Sequence, residues 1–470
     1  MNPSENSKIT RRELGKRVGQ VAAVTAMSGV AIPHVYAAGE QTIQVVLVGC
    51  GGRGTGAAGD ALRAKGANLK LIAMADAYPD RLASSFNSLS HTHDLQGKID
   101  VPEERKFIGY DAYKKAMDCL KPGDVAIFAT PLAFRWVHFG YAIEKGVNVF
   151  MEKPLSADGA ASRRLLTLAE KAKEKNLKVG VGLMSRHARH LEELHDRISN
   201  GEIGDIILMR GYRMAGEVGA FNAIPKQFAR ARRGVEHPMG DLEYQIRRFH
   251  AFLWSGGGCF SDFNIHIIDH LSWMKNAWPV QAQAVGGRHY KTDRNGHPYV
   301  DQNFDSYGVE YTFEDGTKML FDGRCIQGAA DIYESFIHGS KGCAYASRSG
   351  DCGAPSITYK GTAPLSGQQI WRSPDHTNPY QNEWNDLVDA IVNNKPYNEV
   401  KRGVEASVVT SMGRMAAHTG QIITFEQMLN SPHEFAPGID KITADSPGPL
   451  PSDAQGHYPQ PEPGRKKTEY

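Results

Sequence analysis

Val45-Val46-Leu47-Val48-Gly49-Cys50-Gly51-Gly52-Arg53-Gly54 is the stretch from which the rest of the chain is read. Four apolar residues run into three glycines, Gly49, Gly51 and Gly54, at G-x-G-x-x-G spacing. A strand that turns this way into a helix offers backbone N–H groups to a pyrophosphate at the helix N-terminus. Glycine is needed because the chain must turn tightly, approach phosphate without Cβ atoms and pack its helix on the sheet. Gly52 and Arg53 complete the candidate phosphate-binding loop. Glycine-rich turns are common, so the surroundings matter. Ile43–Val48 reads as a buried parallel strand, and the alanine-rich Thr55–Lys65 as a helix. Asp76 ends the next apolar run, Leu69–Ala75, 22 positions after Gly54. A carboxylate there would bind the adenosine ribose hydroxyls.

Outward from this loop the same rhythm continues. Tyr78–Leu89 reads as helix and loop, His91–Glu104 is polar and unpatterned, and His91 and His93 read as surface histidines. Tyr110–Leu120 is a predicted helix, and Val125–Ala129 a third buried strand ending in Thr130-Pro131. His138 lies in the following helix, which runs to about Lys145. The strand Val147–Met151 ends directly in Glu152-Lys153-Pro154. Ser162–Lys175 is an amphipathic helix and Lys178–Leu183 another strand. Alternating strands and helices over residues 43–183 specify a right-handed parallel α/β sheet. Ligands bind such sheets beyond the carboxyl ends of the strands. Gly49–Gly54, Asp76, Thr130, Pro131, Glu152 and Lys153 all fall at those ends.

Beyond Ser185 the pattern changes. His187–Asn200 is one more helix, residues 203–214 a strand, and an Arg- and Gly-rich irregular segment follows to about Trp254. Segments of that length usually serve function. Gln281–Tyr290, Ser306–Phe313, Lys318–Cys325 and Tyr333–His338 read as strands, with a D-G hairpin at Glu314–Thr317. Asn382–Val392 and Arg402–Gly420 read as closing helices. The expected organisation is therefore a Rossmann domain over 41–184 and an α+β domain with a largely antiparallel, open-faced sheet over 185–430. A Pro/Gly-rich tail over 431–470 is expected to bury little, with Ser446–Tyr470 extended.

The 470 residues suffice for two domains. Hydrophobic content of 41% and charged content of 23% are those of a soluble globular protein. A net charge of +2 and short basic clusters (Arg230, Arg232 and Arg233; Arg247 and Arg248) leave no basic stripe for nucleic acid. These arginines read as a solvated or substrate-facing loop. The six cysteines show no C-x-x-C spacing and no zinc-type histidine partners, so no metal site is expected. Cys343 and Cys352 are the pair left open for a disulfide in an oxidising compartment.

Residues 1–38 read as an address. Thr10-Arg11-Arg12-Glu13-Leu14-Gly15-Lys16 looks like a twin-arginine export signal, followed by the apolar stretch Val18–Ile32 and a small-residue site before Ala38. That stretch is shorter than the ~20 apolar residues of a spanning helix, so no stable membrane insertion is expected after its removal. The remaining chain carries 49 Lys/Arg against 50 Asp/Glu. Export of a folded dinucleotide protein to the periplasm removes it from free cofactor, so the nucleotide should be held tightly and returned to its starting state in each cycle.

Lys153 leads the candidate chemistry. Beside a bound nicotinamide, a lysine tuned by a nearby positive charge can exchange the proton of a substrate hydroxyl as hydride moves. Residues 256–269 read G-G-G-C-F-S-D-F-N-I-H-I-I-D, a glycine turn opening a helix. Asp262, His266 and Asp269 share one face of it at i, i+4 and i+7. His266 is the candidate general acid/base, and Asp262 would orient it or hold a hydroxyl. A capping aspartate and a satisfied core histidine are the plainer readings. Arg186, Asn264 and Asp269 are candidate substrate contacts.

The glycine loop, the Thr130-Pro131…His138 pattern, Glu152-Lys153-Pro154 and the G-G-x-x-x-D-x-x-x-H-x-x-D of residues 257–269 together resemble the glucose–fructose oxidoreductase / inositol dehydrogenase (Gfo/Idh/MocA) family over about residues 41–430. The resemblance implies a Rossmann domain, an open-faced sheet domain that often mediates homo-oligomerisation, and tightly held NAD(H) or NADP(H). It places Lys153 and His266 where the family has its catalytic lysine and histidine. Asp76 favours NAD, because its carboxylate would repel a 2′-phosphate. Asn264 stands where many members carry a small residue. The expected function is an exported NAD-dependent oxidoreductase acting on a sugar or polyol hydroxyl. The alternatives are a redox-neutral NAD-dependent glycosidase (oxidation, elimination, hydration, re-reduction) and a non-catalytic nucleotide- or sugar-binding protein.

Overall fold

Strand β1 (Thr42–Val48) is the centre of a six-stranded parallel sheet. The computed structural model describes residues 42–219, 221–229, 239–374 and 377–470. The residues 1–38 read as an export signal, and Arg230, Arg232 and Arg233, lie outside them. With β2 (Asn68–Asp76), β3 (Lys106–Ile108), β4 (Val125–Phe128), β5 (Asn148–Met151) and β6 (Val179–Val181), the order is β3-β2-β1-β4-β5-β6. Val45 pairs with Leu71 on one side and Val125 on the other, so the strand order reverses at β1/β4. That reversal opens a crevice at the carboxyl ends. Val45, Val46 and Leu47 are fully buried, as a sheet covered on both faces requires. The helix Gly52–Leu62 buries Gly54, Ala57, Ala58 and Ala61 on its sheet side, where small residues permit close approach. β3 forms just after the polar stretch read as unpatterned. Three residues pairing with Met74–Asp76 are too few to show a period.

The second sheet has nine strands: β7 (Ile206–Ala215), β8 (Gln281–Gly287), β9 (Ser306–Thr312), β10 (Lys318–Cys325), β11 (Ile332–Gly339), β12 (Gly342–Ser347), β13 (Ile357–Lys360), β14 (Gln369–Arg372) and β15 (Ile423–Thr424). Their order is β14-β13-β12-β11-β7-β10-β9-β8-β15, antiparallel except where β7 meets β10. The β9–β10 hairpin turns at Glu314–Thr317, with Gly316 at φ +85° and Asp315 accepting a hydrogen bond from the Thr317 N–H. Strict alternation buries Tyr307, Val309 and Tyr311 against the helices Gly258–Lys275 and Val400–Thr419. Each such large side chain contributes about 1.5–3 kcal/mol when fully buried. The opposite face leaves Val285, Leu320 and Ile422 exposed. β12, β13 and β14 were not foreseen; β12 is Gly-Cys-Ala-Tyr-Ala-Ser, and its small residues carry little strand signal.

Two segments differ more sharply from expectation. The irregular stretch before Trp254 contains the helix Asp241–Arg247, whose Leu242, Tyr244 and Gln245 are buried. The tail over 446–470 has no helix or strand and is mostly exposed, yet Leu450, Tyr458 and Glu469 are buried. Proline and glycine prevent regular structure there but do not stop single side chains from docking. Arg414, also fully buried, bonds Glu469 through Nε (2.7 Å) and Nη2 (2.9 Å). All six cysteines are free thiols, Cys343 and Cys352 included.

Candidate active site

A cleft enclosing about 760 Å³ of solvent-open space lies at the β1/β4 reversal, lined by Gly49, Gly51, Asp76, Thr130, Pro131 and His138 among others. Gly49 has φ +96°, and a Cβ on it would meet the Ala129–Thr130 backbone within 2.8 Å. A Cβ on Gly54 would lie 2.0 Å from the Gly49 carbonyl oxygen, so the third glycine seats the helix on the turn. Around Gly51 and Gly52, by contrast, a Cβ would meet nothing within 4 Å. That open space lies at the N-terminus of the helix Gly52–Leu62, where backbone donors face outward. Asp76 accepts from the Cys50 N–H (2.7 Å) and the Tyr78 N–H (2.9 Å), one on each oxygen. Burial pushes its carboxyl up against the lowering effect of those two bonds. Each oxygen retains a lone pair for a ribose hydroxyl. Loop, open N-terminus and oriented carboxylate fit a dinucleotide.

The other cofactor candidates divide into wall and support. Thr130 Oγ1 sits 3.3 Å from His138 Nδ1, and His138 stacks on Phe134. Burial pushes His138 down to about 3, so its ring is neutral. Buried Arg135 donates to the carbonyls of Phe128 (2.7 Å) and Thr130 (3.0 Å), fixing the end of β4. Arg53 turns away from the phosphate loop: its Nε bonds Glu152 (2.7 Å), its Nη2 bonds Asp60 (3.1 Å), and its guanidinium lies over Tyr380. Glu152 therefore braces β5 against the glycine loop.

At the end of β5, Lys153 Nζ donates to the Asp262 carbonyl (2.5 Å) and to Asp262 Oδ1 (3.1 Å). Asp262 lies in the first turns of the helix Gly258–Lys275, and its other oxygen is 3.1 Å from His250 Nε2. Burial opposes ionisation of Asp262, yet Lys153 and His250 outweigh it and hold the carboxyl well below its usual range. One turn on, His266 is buried, and its Nδ1 has no partner among the described residues. Burial, then the charges of Lys153 and Arg213, push its pKa well below the ordinary value, leaving a neutral imidazole. Lys153, Asp262 and His266 thus converge where the parallel sheet meets the second sheet.

The candidate substrate contacts each meet other protein groups. Arg186 and Asp269 form a two-pronged pair (2.9 and 2.8 Å) with Asp269 fully buried. Arg186 also lies against Trp273 and Trp278, so the pair ties the helix to the turn Met184–His187. Asn264, two positions from Asp262, falls on another face of the helix and packs against Gly323 of β10. Three site residues were missed. His250 comes from the segment read as irregular. Arg213, on β7, is nearly buried, lies over the rings of Phe263 and Tyr333, and forms no hydrogen bond or ion pair among the described residues. Asp351, in the tight loop that Ser347 Oγ organises after β12, has an Oδ1 without a partner among the described residues. Burial pushes it up to about 6 against the pull of Arg213 and Lys153. Neither Arg213 nor Asp351 belongs to a readable motif. A charged residue at an alternating strand position would have been the one signal for Arg213. Arg247, read as solvated or substrate-facing, is nearly buried, lines the dinucleotide cleft and is paired with Asp80 and Glu243.

Fold and cleft together define a dinucleotide-binding Rossmann protein with a second, largely antiparallel sheet behind its site. Residues 43–183 match the family described as "Oxidoreductase family, NAD-binding Rossmann fold", and the cleft just described is that fold's NAD-binding crevice. An inositol 2-dehydrogenase of Corynebacterium glutamicum (strain R) is 27% identical over 113 residues, which are 24% of this chain and 33% of that protein. The matched part thus spans about a third of that relative. Among solved structures, an aldose-aldose oxidoreductase of Caulobacter crescentus complexed with glycerol superposes with TM-score 0.59 at 15% identity, covering 82% of this chain and 100% of the other. A scyllo-inositol dehydrogenase of Lactobacillus casei with bound NAD(H) and scyllo-inositol gives TM-score 0.57 at 20% identity, covering 82% and 99%. At these identities the likeness speaks for the fold.

Proposed function

We propose that the protein is an NAD-dependent oxidoreductase that acts on a hydroxyl-bearing carbon of a sugar or polyol. The observation that carries this reading is the Lys153–Asp262 contact just past the carboxyl end of β5, on the edge of the parallel sheet where the dinucleotide cleft opens, with neutral His266 one helical turn away. When bound, NAD⁺ supplies the hydride acceptor. Lys153 Nζ, pinned by Asp262, donates to the substrate oxygen and sets the reacting carbon in line. His266, kept neutral by burial, takes the hydroxyl proton as general base and returns it in the reverse direction. Asp262 stays ionised and fixes both Lys153 and His250. The names of the relatives, an inositol dehydrogenase and an aldose-aldose oxidoreductase, favour a polyhydroxylated substrate.

The twin-arginine pattern at Thr10–Lys16 supports export to the periplasm with the nucleotide already in place, and hence a cycle that restores it. Self-association through the second sheet is part of the same reading, supported by Val285, Leu320 and Ile422 on its open face. The test is to purify the protein, identify its bound nucleotide, and incubate it with free sugars, cyclic polyols and aryl glycosides. Reduced nicotinamide formed with a free sugar or polyol supports the reading. Aglycone release without net reduction replaces it with the redox-neutral glycosidase, and nucleotide binding with neither signal replaces it with a binding protein.

A further inference from the structure

Of the two stretches that show no sequence pattern, the one before Trp254 lines the dinucleotide cleft and the C-terminal tail packs against it from behind. Arg247, the last residue of the helix Asp241–Arg247, lines the cleft that Asp76 and Tyr78 also line. Arg247 grips Asp80 with two parallel hydrogen bonds (2.9 and 2.8 Å), bonds Glu243 through Nε (2.7 Å), and lays its guanidinium 4.2 Å above the Tyr78 ring. The Asp80 bond holds that carboxyl below its ordinary value. Asp80 and Tyr78 belong to the parallel-sheet half of the chain, immediately after Asp76. The contact therefore spans from one half to the other at the point where an adenosine ribose would sit.

The helix is itself held from behind by the tail. Gln245 Nε2 donates to the Leu450 carbonyl (2.8 Å), and the Trp254 indole donates to Gln245 Oε1 (2.7 Å). We propose that Arg247 is the latch of a cover, backed by the C-terminal tail, that closes the adenosine end of the cleft and makes bound NAD slow to exchange. The proposal rests on the NAD reading of the cleft and adds how the nucleotide is retained. A planar, two-pronged guanidinium–carboxylate contact stacked on an aromatic ring is well suited to a latch, because its geometry survives replacement by neither lysine nor a neutral side chain. Opening the cover breaks both hydrogen bonds and the ring contact together.

The test uses the full-length protein loaded with NAD, freed of excess nucleotide by gel filtration and chased with radiolabelled NAD. Wild type is expected to exchange slowly, R247A at least tenfold faster, and D80N faster as well. The double variant should be no faster than R247A, since both substitutions break one contact. R63A, which removes the exposed Arg63–Asp94 pair, is the control and should exchange at the wild-type rate. Melting temperature is read on every variant, and if R247A fails to fold, D80N carries the test. Exchange by R247A and D80N within twofold of wild type overturns the latch. Wild type that holds no NAD overturns the latch together with the cofactor reading. NAD retained in a protein that transfers no hydride leaves the latch standing and overturns the proposed activity.

Discussion

Lys153 and Asp262 are 109 residues apart in the chain, yet Lys153 Nζ lies 2.5 Å from the Asp262 carbonyl oxygen and 3.1 Å from Oδ1. The first directly follows β5 of the parallel sheet; the second lies in the opening turns of the helix Gly258–Lys275, which packs on the other sheet. Their contact joins the two sheets at the site. Arg414 supports the same junction from below, donating to the Gly257 carbonyl (2.9 Å), to Ser261 Oγ (2.8 Å) and to the Ala157 carbonyl (2.8 Å).

Removal of the proton-handling groups should separate chemistry from binding. Lys153→Ala and His266→Ala are each expected to lower kcat by roughly 10²–10⁴ while NAD binding, read by calorimetry, stays within threefold of wild type. Asp262→Asn should lower kcat as well, because a neutral amide no longer fixes Lys153 and His250. Unchanged kcat in Lys153→Ala and His266→Ala would remove both residues from the mechanism.

The loop glycines should respond in opposite ways. Gly54→Ala drives a Cβ onto the Gly49 carbonyl and is expected to cost on the order of 3 kcal/mol, read as a lowered midpoint in urea. Gly51 has φ −75° and open space around it, so Gly51→Ala should melt as wild type does. It should nevertheless lose at least tenfold in NAD affinity, because the new methyl occupies the phosphate approach. Equal stability losses in both variants would contradict this division.

These glycines mark how far the sequence could be read. The parallel sheet and the positions of Gly49, Gly54, Asp76 and Lys153 at strand ends were legible because buried strands and phosphate turns leave local signals. The second sheet was legible only in its longer alternating strands; β12 is built mostly of small residues, and β13 and β14 are four residues each, too short to show a period. Arg213 and Asp351 reach the site through tertiary placement alone, from a strand and a loop 138 positions apart. The Arg186–Asp269 pair shows the converse. Asp269 lies at helical spacing from Asp262 and His266, but a guanidinium brought from the turn Met184–His187 occupies both its oxygens. Spacing gives a face, not a partner.

The C-terminal tail is expected to be integral to the fold. Glu469 is buried against Arg414, with His418 Nδ1 3.0 Å from its Oε1, and burial notwithstanding, Arg414 holds its carboxyl at about 2. Deleting Glu469 and Tyr470 leaves the Arg414 charge buried without its carboxylate and should cost about 3–5 kcal/mol. Glu469→Gln should cost less and remove a stability contribution that wild type keeps above the usual glutamate pKa and loses as pH falls toward 2. Denaturant melts at pH 7 check the deletion.

Asp351 should leave the opposite pH signature. Its folded pKa of about 6 lies above the unfolded value, so the native state binds more protons than the unfolded state in the window between them. Stability from this group is present below about pH 4 and lost as pH rises through about 6, on the order of 3 kcal/mol in all. Asp351→Asn should flatten the stability profile over that window, read by urea midpoints at pH 4, 5, 6 and 7. An unchanged profile in the variant would mean that Asp351 is ionised throughout.

In the proposed function the cleft holds NAD for hydride transfer with a polyhydroxylated substrate at Lys153 and His266. A single-turnover experiment tests it most directly: the NAD-loaded protein, without added cofactor, is mixed with a panel of free sugars and cyclic polyols while reduced-nicotinamide absorbance is followed. A burst of up to one reduced nucleotide per chain is expected with at least one of them, absent in Lys153→Ala. Retained NAD that no sugar or polyol reduces, or a burst undiminished in Lys153→Ala, would contradict it.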